Sequence, residues 1–298
     1  MKILITGSSG MLGTEICKVL SAEHELIGLD LVESETNTPL LSAFHEANVT
    51  YAARIKAIFD TREPEMVVHA AAWTDVDGCE EEPDRARLVN TTGTANIARA
   101  AASKNIPVVF ISTDFVFDGE KNTPYKEEDR GNPLNVYGKT KWEAEEIIRK
   151  DLPKYVIIRT GWLYGKHGKN FVNTIIEKSK TEKVLKVVND QIGGPTYAQD
   201  VAIGLGRYFK ISDFSEQEIY HICDAGKCSW FDLAKEVLAN IKGGDVKVEP
   251  ITANELGRPA PRPKYSVLDN SKFYKRTEYV MRPWDDAIRE YIRNECQA

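Results

Sequence analysis

At 298 residues the chain is long enough for one large domain or two ordinary ones. Hydrophobic residues make up 42% and charged residues 28%, a globular balance that excludes disordered, collagenous and membrane-spanning classes. Basic side chains number 39 and acidic ones 45, a formal net charge of −6, which sets nucleic acid aside because a nonspecific grip on phosphates needs a basic surface.

The chain opens with Lys2-Ile3-Leu4-Ile5-Thr6, an apolar run too short for a signal-peptide core, and Leu12, Ile16, Val19 and Leu20 follow at helical spacing. A strand feeding a helix is the expectation. The rhythm repeats with a strand at 25–30, a helix near Ile55-Ile58-Phe59, a strand at 66–70 and a helix through Val89, Ile97 and Ala101. Strands at 108–112 and 155–159 follow, with a charged helix between them. Buried runs alternating with helices imply an α/β fold, a Rossmann-like doubly wound parallel sheet.

After Gly165 the regularity fades into a smaller mixed α/β C-terminal lobe. A helix is expected around 201–208, a strand at 219–223, and a capping box at Ser229-Trp230-Phe231-Asp232 predicts a helix start near residue 230. Val246 and Val248 alternate with Lys247 as a half-buried strand would, and Pro259, Pro261 and Pro263 forbid a regular helix there, leaving a loop over the surface or a cleft. The resulting division is a dinucleotide-binding domain over 1–164, with a return at about 196–223, and a substrate-binding lobe over 165–195 and 224–298. Residues 1–164 carry 18 basic and 26 acidic side chains, whereas 165–298 carry 21 and 19, so the later lobe better suits an anionic ligand. Ordinary surface variation is the alternative.

The five cysteines, at 17, 79, 223, 228 and 296, are scattered without a C-x-x-C pair, so neither a disulfide framework nor a zinc site is expected and a reducing cytoplasm fits. No carboxylate and histidine group has metal-ligand spacing, His69 and His221 read as structural, and nothing approaches the roughly 18 apolar residues of a membrane span.

Gly7-Ser8-Ser9-Gly10-Met11-Leu12-Gly13 follows the first strand and opens the first helix, the context a dinucleotide fingerprint requires. Gly7 would permit the tight turn, Gly10 the approach of a pyrophosphate, and Gly13 close packing of helix on strand, with free N–H groups of the helix start facing the phosphates. A merely tight strand-to-helix turn is the alternative. Asp30 ends the second strand, 17 residues beyond Gly13, where a carboxylate would accept from adenosine ribose hydroxyls, or be a solvated Asp at a strand end. No Arg or Lys stands in Leu31-Val32-Glu33-Ser34-Glu35 to receive a 2′-phosphate, so NADH should bind at least as well as NADPH.

Tyr137 and Lys141 stand four residues apart, hence on one helix face. A free phenol is a weak acid near neutrality, and a neighbouring ammonium would favour the phenolate and lower its pKa. Thr113, at the end of the 108–112 strand, lies on the carboxyl edge where open α/β sheets bind ligands. Together these three make a site for moving a hydride to a ketone, with Tyr137 as acid and Thr113 and Lys141 as positioners. Chance hydroxyls at a strand end are the alternative.

These residues resemble the extended short-chain dehydrogenases/reductases, and among them the dTDP-4-dehydrorhamnose reductases. The likeness runs through Thr6 to Gly13, His69-Ala70-Ala71-Ala72-Trp73-Thr74, Val89-Asn90, Ser112 to Gly119, Tyr137 to Lys141 and Arg159 to Gly165. Asp190 to Thr196 and Arg262-Pro263 with Ser266 continue it into the second lobe. The resemblance implies NAD(P)H-dependent reduction of the C4 ketone of dTDP-4-dehydro-6-deoxy-L-mannose to dTDP-L-rhamnose, with a homodimer as a possible assembly. It also implies Thr113, Tyr137 and Lys141 as the catalytic group. By the same resemblance Gly7, Gly10, Met11, Leu12, Gly13, Asp30, Asn48, Val49, Ala70, Ala71, Ala72 and Thr74 fall on the cofactor, and Asp114 and Trp162 face the sugar; close packing of the three alanines and a core role for Trp162 are the alternatives. Asn48 stands where such proteins usually carry an Asp near the adenine, and an amide can still bond the base. Arg262 could hold the diphosphate through its fork of donors, or be a loop-surface arginine.

Two rival readings share the fold. One is a nucleotide-sugar epimerase or dehydratase with permanently bound NAD; dehydratases of this kind usually place Asp-Glu directly after the Thr, whereas here Asp114 is followed by Phe115. The other is a noncatalytic regulatory subunit like that of methionine adenosyltransferase, against which the intact Thr113, Tyr137 and Lys141 argue.

Overall fold

The computed structural model describes residues 1–241 and 246–296. Its first half alternates strands and helices: β1 (Lys2–Thr6), α1 (Met11–Leu20), β2 (Glu25–Asp30), β3 (Ala43–Glu46), α2 (Ala52–Arg62), β4 (Met66–His69), α3 (Gly93–Ser103), β5 (Val108–Thr113), α4 (Val136–Asp151) and β6 (Tyr155–Thr160). After an excursion, α5 (Ala198–Phe209) and β7 (Gln217–His221) return to the same sheet. The seven strands pair in the order β7-β6-β5-β4-β1-β2-β3, every pair parallel. This is the doubly wound sheet that the alternating apolar runs imply.

Both faces are covered because successive residues of each strand point to opposite sides. Ile3 and Ile5 of β1 join α1 and α5 in one core with Val68, Ile158 and Leu205, while Leu4 joins α2, α3 and α4 in the other with Val67, Phe110 and Ile148. The strand order reverses between β1 and β4, so the connections leaving their carboxyl ends part to opposite faces and open a crevice. That crevice positions the site.

The second lobe has its own core. Ser229 and Asp232 form the expected capping box, and α6 (Trp230–Asn240) buries Leu233, Ala234, Val237 and Leu238 against the parallel pair Val184–Val188 and Lys247–Ile251 and the helix Trp284–Tyr291. Phe273 and Met281, further along the chain, pack instead into the first core with Tyr220. Residues 259–263 form no helix, as three prolines in five positions dictate, and Ala260, Pro261 and Arg262 border the crevice.

Three local features differ from the sequence expectations. Strand β3 is an added edge whose Ala43-Phe44-His45-Glu46 is half-buried and offers no continuous apolar run. Residues Arg87–Thr92 form a π-helical stretch leading straight into α3, which the apolar spacing from Val89 to Ala101 does not separate from an ordinary helix. Strand β7 ends at His221, and Ile222 and Cys223 leave the sheet while staying buried. Among the described residues no helix is long and apolar enough to cross a membrane.

Candidate active site

The turn between β1 and α1 is built from backbone proximity. Gly7 has φ +70°, and a Cβ on it would lie 2.7 Å from the Ala71 amide nitrogen, so any other residue would be both strained and obstructed. A Cβ on Gly13 would lie 1.9 Å from the Gly7 carbonyl oxygen, which shows the helix start pressed onto its own loop. Gly10 is the N-cap of α1 and has no side chain to accept from the first-turn amides, nor is any of the first-turn residues acidic. The amides of Met11, Leu12 and Gly13 are thus left for an anion.

Asp30 reaches this loop: its carboxylate accepts from the Ser9 amide at 2.9 Å and from the Leu31 amide at 2.7 Å. Asn37, wholly buried, donates to the Ser8 carbonyl and to Thr14 Oγ1 (3.2 Å) and so ties the loop to α1. Asn37 sits in an irregular stretch, where no spacing marks it. Asn48 lines the crevice and accepts from the Thr50 amide at 3.0 Å, while Val49 packs under Gly93. Ala70, Ala71, Ala72 and Thr74 form the opposite wall. This narrow cradle, with uncapped amides at one end and a carboxylate at the other, fits a dinucleotide: phosphates at α1, a ribose at Asp30.

Asn135 N-caps α4 by accepting from the Gly138 amide at 2.8 Å, which puts Tyr137 on the first turn and Lys141 one turn further along the same face. A Cβ on Gly138 would lie 2.2 Å from the Phe115 carbonyl, so a glycine lets α4 close on the end of β5. There the Thr113 hydroxyl accepts from the Phe115 amide (3.2 Å) and donates to Asp114 Oδ1 (3.0 Å), and the Tyr137 ring meets that of Phe115 edge-on with centroids 6.0 Å apart.

Burial governs the protonation of this group. It pushes the Tyr137 phenol up, with Thr113 opposing. The expected lowering of that phenol by Lys141 is not found, because the ammonium donates instead to the Ile111 carbonyl at 2.7 Å and lies 4.1 Å from the centroid of the Phe110 ring. Burial pulls Lys141 down to about 7, with Glu145 opposing, and pushes Asp114 up to about 6, with Ser266 and Thr113 opposing.

Trp162, at φ +48°, stacks on Trp230 with ring centroids 3.4 Å apart, and Trp230 leans on Phe171. Trp230 and Phe171 also line the crevice, extending its aromatic wall beyond the Trp162 that the resemblance marks. Arg262 lines the crevice too, but its guanidinium pairs with Asp77 (2.9 Å) and donates to the Ala260 carbonyl (2.8 Å). Arg258 shares the Asp77 carboxylate at 3.0 Å, so the proline-rich loop is fastened across the opening. Neither sequence spacing nor composition points to Asp77, which lies 185 residues from Arg262.

All the residues expected from the sequence to be catalytic or to meet cofactor or sugar line one crevice of about 1150 Å³. It holds a glycine loop with free amides at one end, a phenol with a hydroxyl and an ammonium in the middle, and aromatic rings and arginines at the other, a set able to seat a dinucleotide beside a group that can donate a proton. His69 stays outside it, held between the hydroxyls of Thr6 (2.6 Å) and Thr94 (3.0 Å).

The chain matches the family model described as RmlD substrate binding domain over residues 1–296. It is 36% identical over 300 residues to the spore coat polysaccharide biosynthesis protein SpsK of Bacillus subtilis (strain 168), covering 100% of this chain and 99% of that one. A crystal structure of a dTDP-4-dehydrorhamnose reductase from Clostridium acetobutylicum ATCC 824 superposes with TM-score 0.87 at 42% identity, covering 98% of this chain and 99% of that one. A dTDP-4-dehydrorhamnose reductase from Bacillus anthracis str. Ames, solved in complex with NADP, does so with TM-score 0.87 at 32% identity, covering 98% of both. The chain belongs to the RmlD substrate-binding-domain family, a family of NAD(P)H-dependent oxidoreductases.

Proposed function

We propose that this chain reduces the C4 ketone of dTDP-4-dehydro-6-deoxy-L-mannose to the alcohol of dTDP-L-rhamnose, using NADH or NADPH. The observation that carries the reading is the convergence of Thr113, at the carboxyl end of β5, with Tyr137 and Lys141, one turn apart at the start of α4, on the same crevice that the glycine loop lines. Similarity to full-length reductases of this activity supports it.

Gly7, Gly10, Gly13 and the first turn of α1 would hold the phosphates, Asp30 a ribose, and Lys141 the ribose nearer the nicotinamide. When bound, the dinucleotide supplies the hydride for the sugar carbon. Tyr137 gives its proton to the ketone oxygen, and Thr113, which favours the ionised phenol, steadies the phenolate left behind. Trp162 offers an apolar face for a 6-deoxy sugar. Arg262 and Arg258 take the diphosphate by exchanging Asp77 for it, which lets the loop over 258–263 respond to substrate. In this reading 165–195 and 224–298 carry the sugar nucleotide and 1–164 with about 196–223 the dinucleotide, and the five free cysteines support a cytoplasmic setting.

The test is to supply the keto sugar from a coupled reaction and follow loss of reduced cofactor together with the product by NMR. Stoichiometric oxidation with L-rhamnose formed is expected. Saturable cofactor binding with no oxidation would contradict the reading and favour the epimerase or binding-subunit alternatives.

A further inference from the structure

Lys141 is buried, and its ammonium donates to the Ile111 carbonyl, the one acceptor it has among the described residues. One turn further along α4, Glu145 is 0% exposed and faces the underside of the same strand end. Its carboxylate accepts from Ser112 Oγ at 2.6 Å, from Arg159 Nε at 2.9 Å and from Arg159 Nη2 at 2.7 Å, and Arg149 closes the other side. Arg159 is on β6 and is itself buried; Ser112 immediately precedes Thr113 on β5. One carboxylate thus binds together the helix that carries Tyr137 and Lys141, the strand that carries Thr113, and the next strand of the sheet. A buried ion pair is a poor way to gain stability, since apolar packing of the same volume does as well or better, so its presence under a proton-transfer group calls for another reason.

We infer that Glu145 is a positioning residue for this site: through Ser112 and Arg159 it fixes the end of β5 that carries Thr113 to the helix that carries Tyr137 and Lys141, and its negative charge lies one turn from the buried Lys141 ammonium. The inference rests on the reductase reading above. The groups around Lys141 leave Glu145 in that part. On α4 they are Tyr137 and Glu145; from β5 come the Ile111 carbonyl, the Phe110 ring and Ser112; from β4 comes His69, kept neutral by burial; from β6 comes Arg159. Of these, Glu145 is the group that acts on Lys141 to favour its charged form.

Glu145→Gln preserves shape and removes the charge, and Glu145→Gln with Arg159→Met removes both members of the pair so that no lone guanidinium burdens folding. Two readouts separate this inference from the reductase reading: the pH profile of kcat for the keto sugar, and the pH dependence of NADH affinity by fluorescence, which needs no sugar. Lower negative charge beside Lys141 moves its deprotonation to lower pH, so in Glu145→Gln the alkaline limbs of both profiles should shift down by about one unit, and in the double variant they should shift in the same direction by less, because loss of the Arg159 guanidinium offsets part of the change. At the optimum kcat should fall by about tenfold or more, with the KM of the sugar changed less than twofold. Folded variants with both limbs unmoved would overturn the inference, whatever their activity. Failure of both variants to fold would overturn it as well, because the pair would then serve the fold and not the site. If the wild type fails to reduce the sugar, the reductase reading falls while the NADH profile still judges Glu145.

Discussion

Thr113 has one hydroxyl proton, and the direction of that proton decides what the site can do. With Asp114 ionised, the hydroxyl donates to Oδ1 at 3.0 Å and faces away from a substrate oxygen. With Asp114 protonated, which its buried position favours up to about pH 6, the carboxyl can donate instead and free the Thr113 proton for the phenol or the ketone. Tyr137 is then the group whose loss should matter most. Tyr137→Phe should lower turnover about 100-fold or more while leaving dinucleotide affinity within twofold, because general acids typically supply that factor and the ring itself is kept. Steady-state kinetics with a cofactor titration checks this, and near-normal turnover would remove Tyr137 from the mechanism.

At the scale of elements, the strand-to-helix turn and the start of α4 are both closed by glycines against backbone. The would-be Cβ of Gly13 meets a carbonyl oxygen rather than a flexible side chain, so relief requires moving α1 off its loop. Gly13→Ala should therefore cost about 1–3 kcal/mol in stability and weaken dinucleotide binding at least tenfold, read by thermal unfolding and by titration. Unchanged affinity would show that the cradle does not depend on this approach. These elements are legible in the sequence because their signals are local: a glycine spacing after an apolar run, a Tyr and a Lys one turn apart, a capping box at Ser229. Strand β3 is not legible, since an edge strand buried on one side needs no apolar run. The π-helical turn before α3 is likewise hidden, because one inserted residue barely disturbs helical spacing.

Across the whole molecule, the site is assembled from parts that the chain keeps far apart. The phenol, the hydroxyl and the glycine loop lie in the first half and can be read there. The partners that give them their state come through tertiary contact: Asp77 holding Arg262, Trp230 under Trp162, Asn37 beneath the glycine loop, Glu145 locked to Arg159. The phenol itself shows the limit of spacing arguments. Four residues place Lys141 on the same face as Tyr137, yet only the packed structure shows the ammonium turned onto the Ile111 carbonyl and burial governing the phenol. The central claim is that this crevice joins a hydride to the C4 carbon of a keto sugar while Tyr137 protonates its oxygen. The most direct measurement is to run the reaction with reduced cofactor carrying two deuteriums at the nicotinamide C4 and to locate the label in the product sugar by NMR. One deuterium at C4 of the L-rhamnosyl product for each cofactor oxidised is the predicted result. A product without label at C4, or a rearranged sugar formed with no net cofactor oxidation, would contradict the account.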